Sequence, residues 1–484
     1  MTTDSVIHIR NAAIETRDEN QRLLKSADIL ICNDRIVAVG QVSPELAATA
    51  TKVVDARNRI AYPGFVNAHT HSPLANAKGI YDLANHRSGM WMFQAVTSGR
   101  TRDEIYASAL LNCVEMLLTG TTACVDHFPE QGFSIDDVDA VVQAYKDCGI
   151  RAIVALRVFD ERYRDIYPPA GEFPQDLTDA LAKRDTLKPR PAAELLALCE
   201  EAVNRYHDRS GRIQIAPAPS NPMRCTDALL VGCQELADRR DTLVHCHLLE
   251  TKIQTVIAKE RFGTTMVKHL DAIGALSDRL SCAHTVWIDD DDIALMAERG
   301  AMVVHNPGSN VRGGSGIAPI AKMIRAGVTV ALGCDGNPSG GNQSLQQAMN
   351  LATIIGRPHA GKFSDWVSTE NVMDMATIGG AKVMGLQDEI AMIAPGRKAD
   401  IVLYDTTAPW WRPLNNPTNQ MVHSESGTSV RDVFIDGRHV VADGRITTFD
   451  ADAVLAEAQG HFDRVLGRNH ELMDLAKRLG AAAQ

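Results

Sequence analysis

His69 and His71 stand one residue apart in the run Phe65-Val66-Asn67-Ala68-His69-Thr70-His71, which reads as a strand. Residues two apart on a strand point to the same face, so the two imidazoles project together. Paired imidazoles suit a divalent metal such as zinc or iron, and a metal so held can activate a water at neutral pH. Taken alone the pair is a weak signal. It gains weight from residues of the same kind further along: His245, His247 and Glu250, then His284, then His305 and Asn306, then Asp335 within Gly333-Cys334-Asp335-Gly336. A hydrolytic metal needs three or four protein ligands and one position left for water. His69, His71, Asp335 and one of His245 and His247 meet that need, and the residue pattern leaves the choice between the last two open. Glu250 is the carboxylate suited to take a proton from water and hand it to a leaving nitrogen. His284 is suited to orient the water and to steady developing charge.

For residues so far apart to meet, the elements that carry them must converge. From Tyr62 onward, short apolar runs alternate with amphipathic stretches. Residues 65–69, 122–126, 151–156, 212–216, 242–247, 280–284, 301–305 and 328–332 read as strands, with helix-like stretches such as 103–118, 135–147, 192–207, 226–239, 289–298 and 318–326 between them. Eight short buried strands alternating with helices imply parallel pairing and favour an α/β fold, a closed (β/α)8 TIM barrel. Barrel enzymes place their sites at the C-terminal ends of the strands. Five of the eight strands deliver a His or Asp to that rim. Core histidines occur singly, and chance would not repeatedly select one strand end, so the metal-site reading prevails over scattered structural histidines. Strand-like runs return after about residue 390, and the two chain ends, 1–61 and 391–449, are expected to build one small β domain beside a barrel of residues 62–390. Residues 450–484 read as a helical tail that packs on the outside or against a partner subunit. The segment 161–190, rich in Pro, Asp and Arg, reads as an inserted loop.

At 484 residues, 45% hydrophobic and 23% charged, the chain has the balance of a soluble globular protein with an ample core. A net charge of -11 speaks against a nucleic-acid surface, because phosphate neutralisation needs clustered Lys and Arg. The ten cysteines lack Cys-x-x-Cys spacing and lie mostly in apolar runs, so they read as reduced core residues of a cytoplasmic protein. Neither a signal peptide nor a membrane span is expected. Also missing are the thiolate zinc signature of the smaller nucleobase deaminases, His-Glu-x-x-His, Gly-x-Ser-x-Gly and a Gly-rich dinucleotide turn.

Six stretches taken together resemble the amidohydrolase superfamily, in its mononuclear aminohydrolase branch of S-adenosylhomocysteine, guanine and 8-oxoguanine deaminases and s-triazine hydrolases. They are Pro63-Gly64-Phe65-Val66-Asn67-Ala68-His69-Thr70-His71, His247-Leu248-Leu249-Glu250, Ala283-His284, the run from His305-Asn306-Pro307-Gly308-Ser309-Asn310 to Gly316-Ile317-Ala318-Pro319, Gly333-Cys334-Asp335-Gly336, and Pro395-Gly396-Arg397-Lys398-Ala399-Asp400-Ile401-Val402. The resemblance implies one zinc or iron ion, with His247 as the strand-five ligand beside His69, His71 and Asp335. It implies that Glu250, His284 and Asp335 are catalytic, and that a composite β-sandwich from the two chain ends flanks the barrel, often in a homodimer or larger homo-oligomer. No lysine follows strand four, where Ala216-Pro217-Ala218-Pro219 stands, so a two-metal centre on a carboxylated lysine is not expected. His305 and Asn310 belong to a family motif near the substrate, as contacts or as supports of the loop.

The chain departs from the family after the first strand, where the usual Arg-Gly and acidic-Leu-Pro patterns are replaced by residues 72–93. Trp91 or Phe93 could wall a flat aromatic substrate there, and Asn85, His86 or Arg87 could read its polar edge. The function expected is hydrolytic deamination, or dechlorinase-type displacement, of a small-molecule nitrogen heterocycle such as a purine, pyrimidine or s-triazine. Hydrolysis of an amide, urea or carbamate C–N bond is the alternative on the same residues. A non-catalytic metal-binding scaffold is the remote one.

Overall fold

The computed structural model describes residues 5–18, 23–82, 86–130, 132–162, 174–183 and 189–482. Eight parallel strands form its centre, arranged as two four-stranded sheets. The first sheet runs Phe65–Thr70, Thr121–Phe128, Arg151–Val158 and Ile213–Pro219; the second runs Val244–Leu248, Leu280–His284, Met302–His305 and Val330–Leu332. They are the first to eighth strands below. All except the fifth are buried throughout, as strands covered on both faces must be. Helices between them start where the sequence supplies caps. Thr101 and Glu104 make a reciprocal capping box for Arg102–Leu118, and Ser134 with Asp137 does the same for Ile135–Cys148, which ends at Gly149 with φ 83°.

The two sheets meet at both edges. Asp335 N donates to His69 O at 2.9 Å, beside a parallel bridge between Thr70 and Asp335, and His247 N donates to Ser220 O at 3.3 Å. They also share a core of small residues, with Ala68, Ala123, Ala155, Ala216 and Ala331 in one cluster closed off by Val383, Leu386 and Ile390. Gln343 ties the eighth strand's exit to the first. Its Oε1 accepts from Asn67 Nδ2 at 2.8 Å and from Thr70 Oγ1 at 2.9 Å, and its Nε2 donates to Asp335 O at 2.8 Å. Approach is so close here that a Cβ on Gly333 would lie 2.2 Å from Asn306 Oδ1 and 2.8 Å from His69 Cβ.

The chain ends build one nine-stranded sheet. Its seam is the antiparallel pairing of Arg59–Pro63 with Ile401–Asp405, in which Tyr62 faces Val402. Arg151, at the start of the third strand, reaches across to this sheet, with Nε 3.3 Å from Asp400 Oδ2 and Nη2 2.6 Å from Asp436 Oδ1. Both Arg151 and Asp400 are buried.

Two sequence readings change. Residues 72–93 are not simply a loop: they hold a 3-10 helix, Ser72–Ala77, and most of a helix, His86–Thr97. Part of the expected inserted loop is helical as well, at Gln175–Lys183. The tail forms the helices Ala451–Arg468 and His470–Ala482, and it packs on the segment after the first strand. Met473 and Ala476 join Met92, Phe93 and Val96 in one apolar cluster, Arg468 Nη2 meets Glu104 Oε2 at 2.5 Å, and Asn469 Nδ2 donates to Ser98 O at 2.8 Å. None of the ten cysteines is disulfide-bonded. Among the described residues, no helix is long and apolar enough to cross a membrane.

Removing one partner from a buried ion pair leaves the other charge uncompensated. Arg151→Ala is therefore expected to lower the unfolding free energy by about 3–5 kcal/mol in a denaturant titration. A loss below about 1 kcal/mol, the range of exposed pairs, would contradict the role given to this contact.

Candidate active site

His69, His71, His247, Glu250, His284 and Asp335 all come together at the C-terminal strand ends. His71 Nε2 lies 3.2 Å from His69 Nε2, 3.3 Å from His247 Nε2 and 3.4 Å from Asp335 Oδ1. His69 Nε2 stands 3.7 Å from the same carboxylate oxygen. In a tetrahedral zinc site with bonds of about 2.0–2.1 Å, neighbouring donor atoms lie about 3.4 Å apart. His69 Nε2, His71 Nε2 and Asp335 Oδ1 stand at about that spacing from one another, and His247 Nε2 stands at it from His71.

Each imidazole also has the right face inward. A ring that offers the Nε2 lone pair carries its hydrogen on Nδ1 and needs an acceptor there. His247 Nδ1 is 2.7 Å from Ser220 O, which can only accept. His71 Nδ1 faces Glu130 Oε1 at 2.5 Å. His69 Nδ1 faces His245 Nε2 at 2.8 Å, and His245 passes its own Nδ1 hydrogen toward Ser281 Oγ at 3.1 Å. His245, the open alternative on the fifth strand, thus lies behind His69. Burial, followed by the neighbouring imidazoles, drives His69 and His247 well below the usual histidine range, so both are neutral, as ligands must be. Burial acts the same way on His71, but the Glu130 carboxylate reverses it and holds this ring above its ordinary value.

Glu250 Oε1 is 3.9 Å from His284 Nε2, and Glu250 Oε2 is 3.0 Å from His86 Nε2. Burial raises the Glu250 carboxyl, yet His284 and His86 outweigh it and bring it below the usual carboxylate range. His284 Nδ1 is 2.8 Å from Asn310 Oδ1, and its Nε2 lies 3.9 Å from Asp335 Oδ2. His284 and Asp335 adopt positive φ, 74° and 61°, a region that costs a non-glycine residue about 1–3 kcal/mol. Such strain persists only where the surroundings impose it, and both residues face the same cavity.

That cavity is lined by the ionisable His86, Glu250, His284 and Asp335, by the apolar Leu74, Met90 and Phe93, and by Glu130, Arg157, Ser220, Asn221 and Arg224. Of the residues expected near a substrate, His86 reaches it. Trp91 does not: residues three apart share a helix face, so Met90 and Phe93 point inward while Trp91 packs with Leu177, Leu475 and Leu479. His305 and Asn310 do not line it either. Asn310 holds His284 from behind, and His305 is buried beside a different hollow bounded by Gly316–Ala321. Asn85 and the side chain of Arg87 lie outside the described residues.

Sequence reasoning passed over Glu130, Arg157 and His127. Glu130 Oε2 is 2.5 Å from Arg157 Nη1, and Arg157 with His71 overcomes burial to lower the Glu130 carboxyl to about 2. The His127 ring packs 4.5 Å from that of His247 with neither nitrogen hydrogen-bonded. All three stand at or just beyond the ends of the second and third strands. The rule applied to the other five strands, polar residues at the C-terminal end, would have found them.

The fold and this arrangement define a hydrolase class in which a metal site sits at the ends of parallel strands. A model of the amidohydrolase family matches residues 60–440, and the chain belongs to that family. It is 31% identical over 444 residues to a 5'-deoxyadenosine deaminase of Methanothermobacter thermautotrophicus, spanning 90% of this chain and 94% of that protein. It is 33% identical over 422 residues to a 5-methylthioadenosine/S-adenosylhomocysteine deaminase of Thermococcus sibiricus, spanning 86% and 89%. Among solved structures, an adenosine deaminase from Xanthomonas campestris with bound zinc aligns with a TM-score of 0.82 at 26% identity, over 95% of this chain and 98% of that one. An atrazine chlorohydrolase from Arthrobacter aurescens complexed with zinc aligns with a TM-score of 0.85 at 26% identity, over 94% and 100%.

The donor spacing leads to a direct expectation for metal content. The double variant His69→Ala, His71→Ala should purify with almost no zinc or iron by plasma mass spectrometry while the native chain carries close to one equivalent. Undiminished metal in the variant would refute the site.

Proposed function

We propose that this protein is a metal-dependent aminohydrolase that removes an amino group from a nitrogen heterocycle, with adenine nucleosides as the substrate class. It is a hydrolase acting on C–N bonds. The observation that carries the reading is the convergence of a close-set group of donors, His69, His71, His247 and Asp335, with the Glu250 carboxylate at one cavity. The deaminase relatives support the substrate class.

A divalent ion held by those four residues, zinc on the strength of the zinc-bound structural relatives, would supply a water acidic enough to attack at neutral pH. The side chains do the rest. Glu250, ionised because its pKa is depressed, takes the proton from the attacking water and returns it to the departing nitrogen. His284, turned by Asn310 so that Nε2 faces Glu250 and Asp335, holds the water on line and stabilises charge as the ring carbon becomes tetrahedral. Asp335, at its second carboxylate oxygen, takes the remaining proton of the added hydroxyl and passes it to a ring nitrogen of the product, so that both carboxylates end ionised. The C–N bond then breaks, ammonia leaves, and the ring keeps an oxygen in its place. Leu74, Met90 and Phe93 offer a flat base an apolar wall, and Ser220, Asn221 and Arg224 offer its polar substituents partners. His86 takes the part expected of it at a substrate's polar edge, from its place beside Glu250.

The same reading takes residues 62–390 as a closed (β/α)8 barrel, which the contacts at both sheet edges favour. It takes 1–61 with 391–449 as a composite β-sandwich, and 450–484 as a tail that covers the segment after the first strand. A homodimer or larger homo-oligomer, and a reducing cytoplasmic setting for the unbonded cysteines, complete it. The chlorohydrolase among the structural relatives supports a second leaving group, halide displaced from an s-triazine, on the same machinery.

Ammonia release measured across 5'-deoxyadenosine, 5'-methylthioadenosine, adenosine, amino-triazines, ureas and carbamates tests the assignment. Deamination with the ring retained is expected for at least one adenine nucleoside, whereas cleavage to acid and amine would move the protein to the amide class. Glu250→Gln should keep its metal and lose about 10²–10⁴ in kcat. A variant that turns over normally would remove Glu250 from the mechanism.

A further inference from the structure

The three inward-facing imidazoles rest on three different acceptors. His247 leans on a backbone carbonyl, that of Ser220, and His69 on the neutral ring of His245. Only His71 leans on a carboxylate. Its Nδ1 is paired with Glu130 Oε1 at 2.5 Å as an ion pair, and neither atom has a hydrogen-bond partner. Both side chains are almost wholly buried, at 6% and 4% exposure, so water does not compete for the contact.

Glu130 is itself clamped. Arg157 Nη1 donates to Glu130 Oε2 at 2.5 Å and to Glu130 O at 2.8 Å, and Arg157 Nε donates to Ser220 Oγ at 3.0 Å. Side chain and backbone of one glutamate are therefore held by a single guanidinium from the third strand. Ser220 links the clamp to the second imidazole, since its carbonyl receives His247 Nδ1 while its hydroxyl receives Arg157. The outer contacts of His71 and His247 belong to one network across the second, third and fourth strands.

A carboxylate on the far nitrogen fixes the tautomer and rotation of a liganding imidazole and increases its basicity. We propose that Glu130 is a positioning residue of the metal centre, orienting and polarising His71, and that Arg157 holds Glu130 in register for that task. This inference rests on the metal-site part of the function proposed above. The charge of Glu130 matters more than its shape, because a neutral amide can occupy the same place without the polarising effect.

The test is metal affinity of the full-length protein, independent of turnover. Zinc-free native chain and Glu130→Gln are titrated with Zn2+ against a chromophoric chelator, and with Co2+ while the visible d–d absorption is followed. Glu130→Gln is expected to bind Zn2+ about 10–100-fold more weakly and to shift the Co2+ band, in a zinc-free form whose melting temperature is lower but still well above the temperature of the titration. A variant with native affinity and an unaltered Co2+ spectrum overturns the role of Glu130 and leaves the metal site standing. A native chain that binds neither ion overturns the metal site itself. Should Glu130→Gln fail to fold, Arg157→Lys carries the test. It keeps the charge but loses the forked geometry, and weakening by at least about threefold is expected while native affinity overturns the clamp.

Discussion

An imidazole can offer its Nε2 lone pair to a shared centre only if something accepts the hydrogen on its Nδ1, and this requirement organises the interior around His69, His71 and His247. The three acceptors come from three places: His245 on the fifth strand, Glu130 beyond the second, and the Ser220 carbonyl where the fourth ends. None of these rings could be turned inward by its own strand alone. The strands must be brought to one rim at fixed heights, which is what the hydrogen bonds from Asp335 N to His69 O and from His247 N to Ser220 O achieve.

Assembling the site is costly, and the scaffold offsets the cost. His284 and Asp335 hold positive φ, eight buried ring or carboxyl groups crowd one region, and one of them, His127, is enclosed with both nitrogens unpaired. A less constrained backbone would relax. Here Gln343 binds the first strand to the exit of the eighth, Gly333 allows their backbones to touch, and Arg151 anchors the third strand to the sheet built by the chain ends. The stability of parts remote from the cavity is thereby linked to its geometry.

The segment after the first strand shows the same dependence on a larger scale. Met90 and Phe93 line the cavity, and Phe93 also packs with Met92 and Val96 in the cluster that holds Met473 and Ala476 of the last helix. A helix of modest length is thus held by the terminal helix while it shapes the cavity. His86, at the start of that helix, contacts Glu250 because the helix is seated there. Read as a loop, the segment left Trp91 and Phe93 equivalent; as a helix it separates them by about 100° per residue of rotation.

The alternation of eight apolar runs with helices was legible in the sequence because burial on both faces requires continuous apolar residues, and the pairing of the chain ends because their short strands need partners. That His69, His71, Asp335, Glu250 and His284, with one of His245 and His247, would gather at one rim was legible too, since their types and strand-end positions follow from chemistry that only a few side chains can perform. Tertiary structure alone decided which ring nitrogen each offers, that His245 stands behind His69, that Asn310 turns His284, and that Glu130 and Arg157 complete the surroundings of His71. Such contacts join residues from different strands at distances of a few ångströms. A one-dimensional pattern records which face of a strand a residue occupies, but not the height or rotation at which that face meets its neighbour.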